Sequence, residues 1–168
     1  MGVFRTGRTV SALAALVAAV SVSAATQLAG ADAPDFVLRN VSGGNVRLSE
    51  YRGQVVMLSF WATWCGDCRA QLEQLASMRT RYADAGVELV TVNLDQTDKQ
   101  AGELAAKQHL QYPVLHDAGG EVGRLYDVNR LPVMVLIDRS GTVREVFEGY
   151  HRGNEAKYLE GVQALLRE

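Results

Sequence analysis

VVMLSFWATWCGDC, running from Val55 to Cys68, is the stretch on which the rest of the chain depends. An apolar run, Val55 to Phe60, leads into two tryptophans, Trp61 and Trp64. The only two cysteines of the chain follow, Cys65 and Cys68, with Gly66 and Asp67 between them. Seven near-continuous apolar residues fit a strand buried on both faces. After Gly66 the spacing changes: Leu72, Leu75, Met78 or the aliphatic stem of Arg79, and Tyr82 recur at intervals of three and four, as one face of a helix does. Two thiols therefore stand where a strand gives way to a helix. A bridge across two intervening residues closes a very small loop and would stabilise the fold little, so the pair is better suited to opening and closing. Zinc needs about four nitrogen or sulfur ligands, and His109, His116 and His151 are all distant in sequence. Covalent haem attachment needs a histidine after the second cysteine, and Arg69 stands there instead.

The chain reads outward from this stretch as alternating strands and helices. Asp35–Leu38 and Val46–Tyr51 flank the turn-rich Ser42-Gly43-Gly44-Asn45 and fit a hairpin. Downstream of the first helix, Asp84-Ala85-Gly86 ends it with a C-terminal glycine. Val87–Leu94 reads as a second buried strand. Asp95–Asp98 reads as a helix N-cap region opening a helix over Lys99–His109. A short strand follows at Tyr112–Leu115, then a loop at His116–Gly120 and a short helix over Glu121–Tyr126. Pro132–Asp138 is a third apolar strand, Arg139-Ser140-Gly141 a turn, and Thr142–Glu148 an alternating edge strand. Asn154–Arg167 closes the chain as an amphipathic helix. This order predicts an α/β domain with a mostly parallel sheet covered on both faces and an antiparallel last hairpin. In such sheets function collects where a strand's C-terminal end meets the next helix, and Cys65 lies at such a place.

The first residues form a separate region. Arg5 and Arg8 precede an apolar run, Val10–Val20, and the small residues Val22-Ser23-Ala24-Ala25. That is the pattern of a secretory signal peptide over residues 1–25; an uncleaved anchor over Thr9–Thr26 is the alternative. Residues 26–33 read as linker and 34–168 as one domain. The chain's 168 residues, 48% hydrophobic and 21% charged, supply one core and not two. A formal net charge of −2 without clustered Lys and Arg excludes a nucleic-acid footprint.

A thiolate, not a thiol, attacks a disulfide, so the first cysteine needs a lowered pKa. A helix N-terminus offers unpaired N–H groups and partial positive charge. Cys65 is thus the expected nucleophile. Cys68, about one helical turn on, is the thiol placed to resolve a mixed disulfide.

Phe60-Trp61-Ala62-Thr63-Trp64-Cys65-x-x-Cys68 after an apolar strand resembles thioredoxin-fold oxidoreductases. A wider set is similar to the exported TlpA/ResA-like thiol–disulfide proteins: Ala33-Pro34-Asp35-Phe36, Leu48-Ser49-Glu50-Tyr51-Arg52-Gly53, Gly86-Val87-Glu88 with Val92-Asn93, Leu131-Pro132, and Leu136-Ile137-Asp138 with Gly141. The resemblance covers about residues 33–165. It implies a thioredoxin fold with a central mixed sheet, an extra N-terminal hairpin and an inserted segment at about Asp95 to Tyr112. It implies a redox-active Cys65–Cys68 disulfide, a cis Leu131–Pro132 bond, and a substrate groove of Trp64, Gly66, Asp67, Leu131 and Pro132. It implies no cofactor, a periplasmic or otherwise exported location, exported disulfide-bearing proteins such as apocytochrome c as clients, and a membrane-embedded thiol donor as the source of electrons.

Three positions depart from that family's pattern. Asp67 stands where Pro or His is common; it would disfavour a neighbouring thiolate or stabilise the helix start. Ser59 replaces a buried acid on the central strand. Gln71 replaces a Glu three residues after the second cysteine. Neither Ser59 nor Gln71 takes a proton near neutral pH, so the base for Cys68 is left among Asp67, Glu73 through water, and solvent. The three histidines read as loop or surface residues. A thiol peroxidase would need Pro at 58 and Thr or Ser at 62, where this chain has Leu58 and Ala62. A non-catalytic binding module and a strong DsbA-like oxidant are further alternatives, the latter without room for its large helical insertion.

Overall fold

The structure is a computed structural model and describes residues 28–168. The signal-peptide reading of residues 1–25 and the first two linker residues lie outside it. The elements run β1 Val37–Asn40, β2 Asn45–Arg47, β3 Val55–Trp61, α1 Cys68–Tyr82, β4 Val87–Asn93, α2 Asp98–Gln108, β5 Val114–His116, α3 Glu121–Leu125, β6 Val133–Ile137, β7 Val143–Glu148 and α4 Asn154–Leu166. They form one seven-stranded sheet in the order β2-β1-β5-β4-β3-β6-β7.

Strand β3 sits near the middle, and its period-2 alternation builds two cores at once. Val56, Leu58 and Phe60 face one side, where they join Val90, Val92, Val133, Val135 and Tyr126. Val55 and Met57 face the other, with Leu75 of α1, Leu89, Met134, Leu136, and Tyr158 and Val162 of α4. Every β3 residue is at most 2% exposed. A fully buried apolar side chain of this size contributes about 1.5–3 kcal/mol, so this strand anchors the residues that follow it.

Strand positions agree with the sequence reading more closely than strand directions do. The expected mostly parallel sheet is a correction: only β3–β4 and β4–β5 pair in parallel, while β1–β2, β1–β5, β3–β6 and β6–β7 are antiparallel. Apolar periodicity reports burial and is silent on the direction of a partner. The second half of the hairpin also differs: only Asn45–Arg47 is strand, and Leu48–Tyr51 turns into a 3-10 helix. Asp35 causes the change by taking the Ser49 backbone N–H at 2.9 Å, the Ser49 hydroxyl at 3.1 Å and Arg47 Nη1 at 3.0 Å. The short strand expected at Tyr112–Leu115 starts later, at Val114, and takes in His116.

The described part of the supposed linker is fastened to the domain. Gly30 N–H donates to Val143 O at 2.7 Å, Val143 N–H to Ala31 O at 2.9 Å, and Ala33 N–H to Gly141 O at 2.9 Å. Ala33 is 6% exposed. Strand β7 is an outer edge, and edges are commonly covered in this way. The bonds use backbone only, which is why small polar residues gave no hint of them.

Asp138 organises the β6–β7 turn. Its Oδ1 accepts from Ser140 N–H (2.9 Å), the Ser140 hydroxyl (2.6 Å) and Thr142 N–H (2.9 Å), and Oδ2 from Arg144 at 3.2 Å. Partial burial works to raise its pKa, but these bonds outweigh burial and hold it below the ordinary carboxylate value. The resulting stability is complete above the unfolded value of about 3.9 and is lost as pH falls through the lower folded value. Asp138→Asn should therefore lower the urea midpoint at pH 7, with the gap to wild type closing as pH drops towards 2; a gap independent of pH would refute this assignment.

Candidate active site

The dithiol is closed as a Cys65–Cys68 disulfide with the Cα atoms 5.4 Å apart. Helix α1 starts at Cys68 and not at Gly66, with Asp67 as its N-cap. Asp67 is in helical conformation (φ −82°, ψ −16°) and its side chain makes no capping bond; only its carbonyl serves the helix, accepting from Gln71 N–H at 3.1 Å. Of the two roles open to Asp67 from sequence, the side-chain cap is thus not made; the residue is exposed and stands between the two cysteines in the chain.

Cys65 belongs to the turn between β3 and α1, its N–H donating to Ala62 O at 3.2 Å. The two sulfur residues differ in access. Cys68 is 1% exposed and packs with Trp61, Leu72, Ala101 and Val114, whereas Cys65 is half-buried at the border of that cluster. Both lie at the N-terminal end of α1, where first-turn amides lack intrahelical partners and the helix dipole is positive.

Leu131 packs against the same cluster. The Leu131–Pro132 peptide bond is cis. Pro132 immediately precedes Val133, which pairs with Phe60, so the proline stands level with the end of β3. Trp64 is 73% exposed and Gly66 is open to solvent. The structure thus gathers Cys65, Cys68 and Leu131 around one cluster, with Pro132, Trp64, Gly66 and Asp67 next to them in the chain.

Two of the positions that departed from the family's pattern turn out to touch. The Ser59 hydroxyl donates to Gln71 Oε1 at 3.1 Å, and Gln71 Nε2 donates to Tyr158 Oη at 3.0 Å. Ser59, Gln71 and Tyr158 are each 0% exposed. Strand, α1 and α4 are thereby joined under the dithiol by an uncharged chain of hydrogen bonds. Burial raises the Tyr158 phenol above its ordinary pKa, so that link stays protonated at neutral pH.

A second support was missed from sequence. Buried Asp95 follows β4, and both its carboxylate oxygens accept Thr63 N–H, at 3.1 and 3.2 Å, while Asn93 Nδ2 donates to Oδ2 at 3.0 Å. The Thr63 hydroxyl reaches Gln100 Oε1 of α2 at 2.8 Å. Asp95 thus pins the turn two residues before Cys65. His116, read as a loop or surface residue, has Nε2 2.9 Å from Asp95 O. The signal that could have found Asp95 is its place at the C-terminal end of the strand beside β3. Between α1 and α2 lies a cavity of about 560 Å³, with Cys65 and Gly66 among its lining.

A disulfide at the junction of a central strand and a helix, its second sulfur buried and a cis proline on the neighbouring strand, defines a thioredoxin-fold thiol–disulfide protein. Comparison with known proteins places it further. The chain belongs to the AhpC/TSA family, whose model matches residues 29–146. It is 37% identical over 124 residues to the thiol-disulfide oxidoreductase ResA of Oceanobacillus iheyensis, a match covering 71% of this chain and 65% of that protein. The ResA of Geobacillus thermodenitrificans is 33% identical over 135 residues, covering 80% and 78%. Among solved structures, a candidate thiol:disulfide interchange protein DsbE from Chlorobium tepidum superposes with a TM-score of 0.78 at 36% identity, covering 82% of this chain and 97% of that one.

Proposed function

We propose that this protein is a thiol–disulfide oxidoreductase of the cell envelope that reduces disulfides in exported proteins, with apocytochrome c as the client class. The observation that carries the reading is the unequal burial of one disulfide: Cys65 half-buried at a turn, Cys68 1% exposed behind it. In the dithiol form the Cys65 thiolate attacks one sulfur of a client disulfide. A Cys65–client bond forms, the client bond breaks, and the other client sulfur leaves as a thiolate. Cys68, as thiolate, then attacks Cys65 Sγ, releasing the second client thiol and closing Cys65–Cys68. Two electrons pass to the client. A dithiol donor, membrane-embedded in this reading, must return them.

Asp67 supports the direction. A carboxylate beside the sulfurs disfavours the thiolate, and a less stabilised dithiol form makes a stronger reductant. The envelope location rests on the Arg5–Ala25 pattern and on the similarity to ResA. A peroxidase is not favoured, since Ala62 leaves no hydroxyl three residues before Cys65 and Leu58 stands where that signature needs Pro. Equilibration of the Cys65–Cys68 couple with dithiothreitol tests the reading. A potential near the roughly −270 mV of thioredoxin is expected, and one near the roughly −120 mV of DsbA would overturn it.

A further inference from the structure

Resting on that reading, we propose that the buried carboxylate of Asp95 biases the couple towards reduction of clients: its charge, held against the turn that carries Cys65, disfavours the Cys65 thiolate and makes the dithiol a stronger reductant. Asp95 touches no client and acts only through Cys65, as a positioning residue of the reaction.

Two buried carboxylates stand among the described residues, Asp95 at 6% and Asp117 at 4% exposure. Asp117 serves the start of α3, accepting the Glu121 and Gly123 N–H groups at 2.9 and 2.8 Å. Asp95 serves no helix start, since Thr97 is the N-cap of α2. A charge taken out of water is costly unless its oxygens are bonded. Those of Asp95 are: Thr63 N–H reaches both, and Asn93 Nδ2 reaches Oδ2. The Asn93 amide cannot turn round, because its Oδ1 takes Asp95 N–H at 3.2 Å. Every bond to the carboxylate thus comes from a donor, and among the described residues none of its partners could accept a proton from it. That is the geometry of the anion. No Lys or Arg pairs with it among the described residues. His116, the titratable group beside it on β5, places Nε2 on its backbone carbonyl.

This charge stands close to the nucleophile. Its oxygens are 3.1 and 3.2 Å from Thr63 N, and the Cα atoms of Thr63 and Cys65, two residues apart, are separated by at most about 7 Å. The other charges around Cys65 are exposed: Asp67 beside it in the chain, Arg69 and Glu73 of α1, Glu103 and Lys107 of α2, and Arg130 before Leu131. Water and salt screen those charges, and screen a buried one much less. Across about 10 Å, in a medium between protein and water, a unit charge moves the ionisation midpoint of a thiol by about half a unit to one unit.

The test follows alkylation of Cys65 by iodoacetamide across pH in the reduced full-length protein, with the modified cysteine identified by mass. Asp95→Asn and Asp95→Ser remove the charge and keep an oxygen for Thr63 N–H; the serine leaves room for water should the two amides of the Asn variant crowd each other. Each should lower the alkylation midpoint by about half a unit or more. Each should also make the potential of the couple less negative, by about 30 mV for a tenfold change in the exchange equilibrium with dithiothreitol. The double exchange Asn93→Asp with Asp95→Asn returns a charge to the same network with every donor matched, and should bring the midpoint back towards wild type. A purely structural Asp95 predicts the opposite sign: a loosened turn takes Cys65 away from the first-turn amides of α1, the thiolate loses their support, and the midpoint rises. An unchanged or raised midpoint in the neutral variants overturns the proposal. So does a lowering that the double exchange fails to reverse, or one that vanishes in about 1 M salt, where only exposed charges are fully screened. In each of these cases reduction of insulin by the wild type leaves the dithiol function standing. If the wild type reduces no insulin, the parent function falls, and the bias proposed for it falls too.

Discussion

Cys68→Ser should turn the protein from a catalyst into a trap. The variant keeps the half-buried Cys65, which can still attack a client disulfide, but it has no second sulfur to release the product. Mixed disulfides should accumulate to near one per molecule and disappear on adding dithiothreitol. Cys65→Ser should do the reverse. It leaves Cys68 at 1% exposure behind Trp61 and Leu72, where a protein disulfide has no approach, and a serine hydroxyl is no substitute for a thiolate at neutral pH. Turnover of insulin disulfides should fall by roughly 10³-fold or more, as when other enzymes lose a covalent nucleophile, and no trapped clients should form. Non-reducing electrophoresis of the two variants side by side decides the matter. Trapping by Cys65→Ser, or by neither variant, would remove the order of attack given above.

Gln71→Glu should add to both stability and rate a pH dependence that residue 71 does not supply in the wild type. Residue 71 is 0% exposed, between the Ser59 hydroxyl and Tyr158 Oη. A neutral Glu can accept from Ser59 as Gln does, but it cannot donate to Tyr158 once ionised. Burial disfavours the charged form, so its folded pKa should rise well above the ordinary value of about 4.3. The sign follows from linkage. Stability equals that of the protonated form below pH 4.3 and is lost as pH rises through the raised folded pKa, because the native state there holds a proton that the unfolded chain has released. A rise of about two units amounts to about 3 kcal/mol, a loss readable as a lower urea midpoint at pH 8 than at pH 4.5. Residue 71 also lies one helical turn beyond Cys68 on the same face, so the introduced carboxylate should add an inflection to the pH profile of mixed-disulfide resolution. A flat stability profile in the variant would show that the site is wetter than the structure indicates.

What the sequence made legible, and what it did not, divides by distance along the chain. Strand β3 and the dithiol were readable because apolar continuity and the two-residue spacing are local. The cis Leu131–Pro132 bond came from resemblance alone; nothing in those two residues distinguishes it from an ordinary strand opening. The neutral support under Cys68 was half visible. Ser59 and Gln71 were each noticed as departures, but their bond spans 12 residues and the link from Gln71 to Tyr158 spans 87. No local pattern encodes such pairings. Asp95 looked like a helix cap because it precedes α2, and its real work, on Thr63, lies 32 residues back.

The attachment of Gly30–Ala33 to Gly141–Val143 sets where the polypeptide enters the domain. Val133 pairs with Phe60 while Ile137 pairs with Val56 and Val143, so that entry lies at the pole of the sheet away from the sulfurs. A seven-residue strand separates the poles by roughly 20 Å. Were the domain leashed to a lipid bilayer through its N-terminal side, the bilayer would meet its back, and the dithiol would look out into the compartment where soluble clients diffuse. An electron donor embedded in that same bilayer could then be reached only by a domain that swings on its leash.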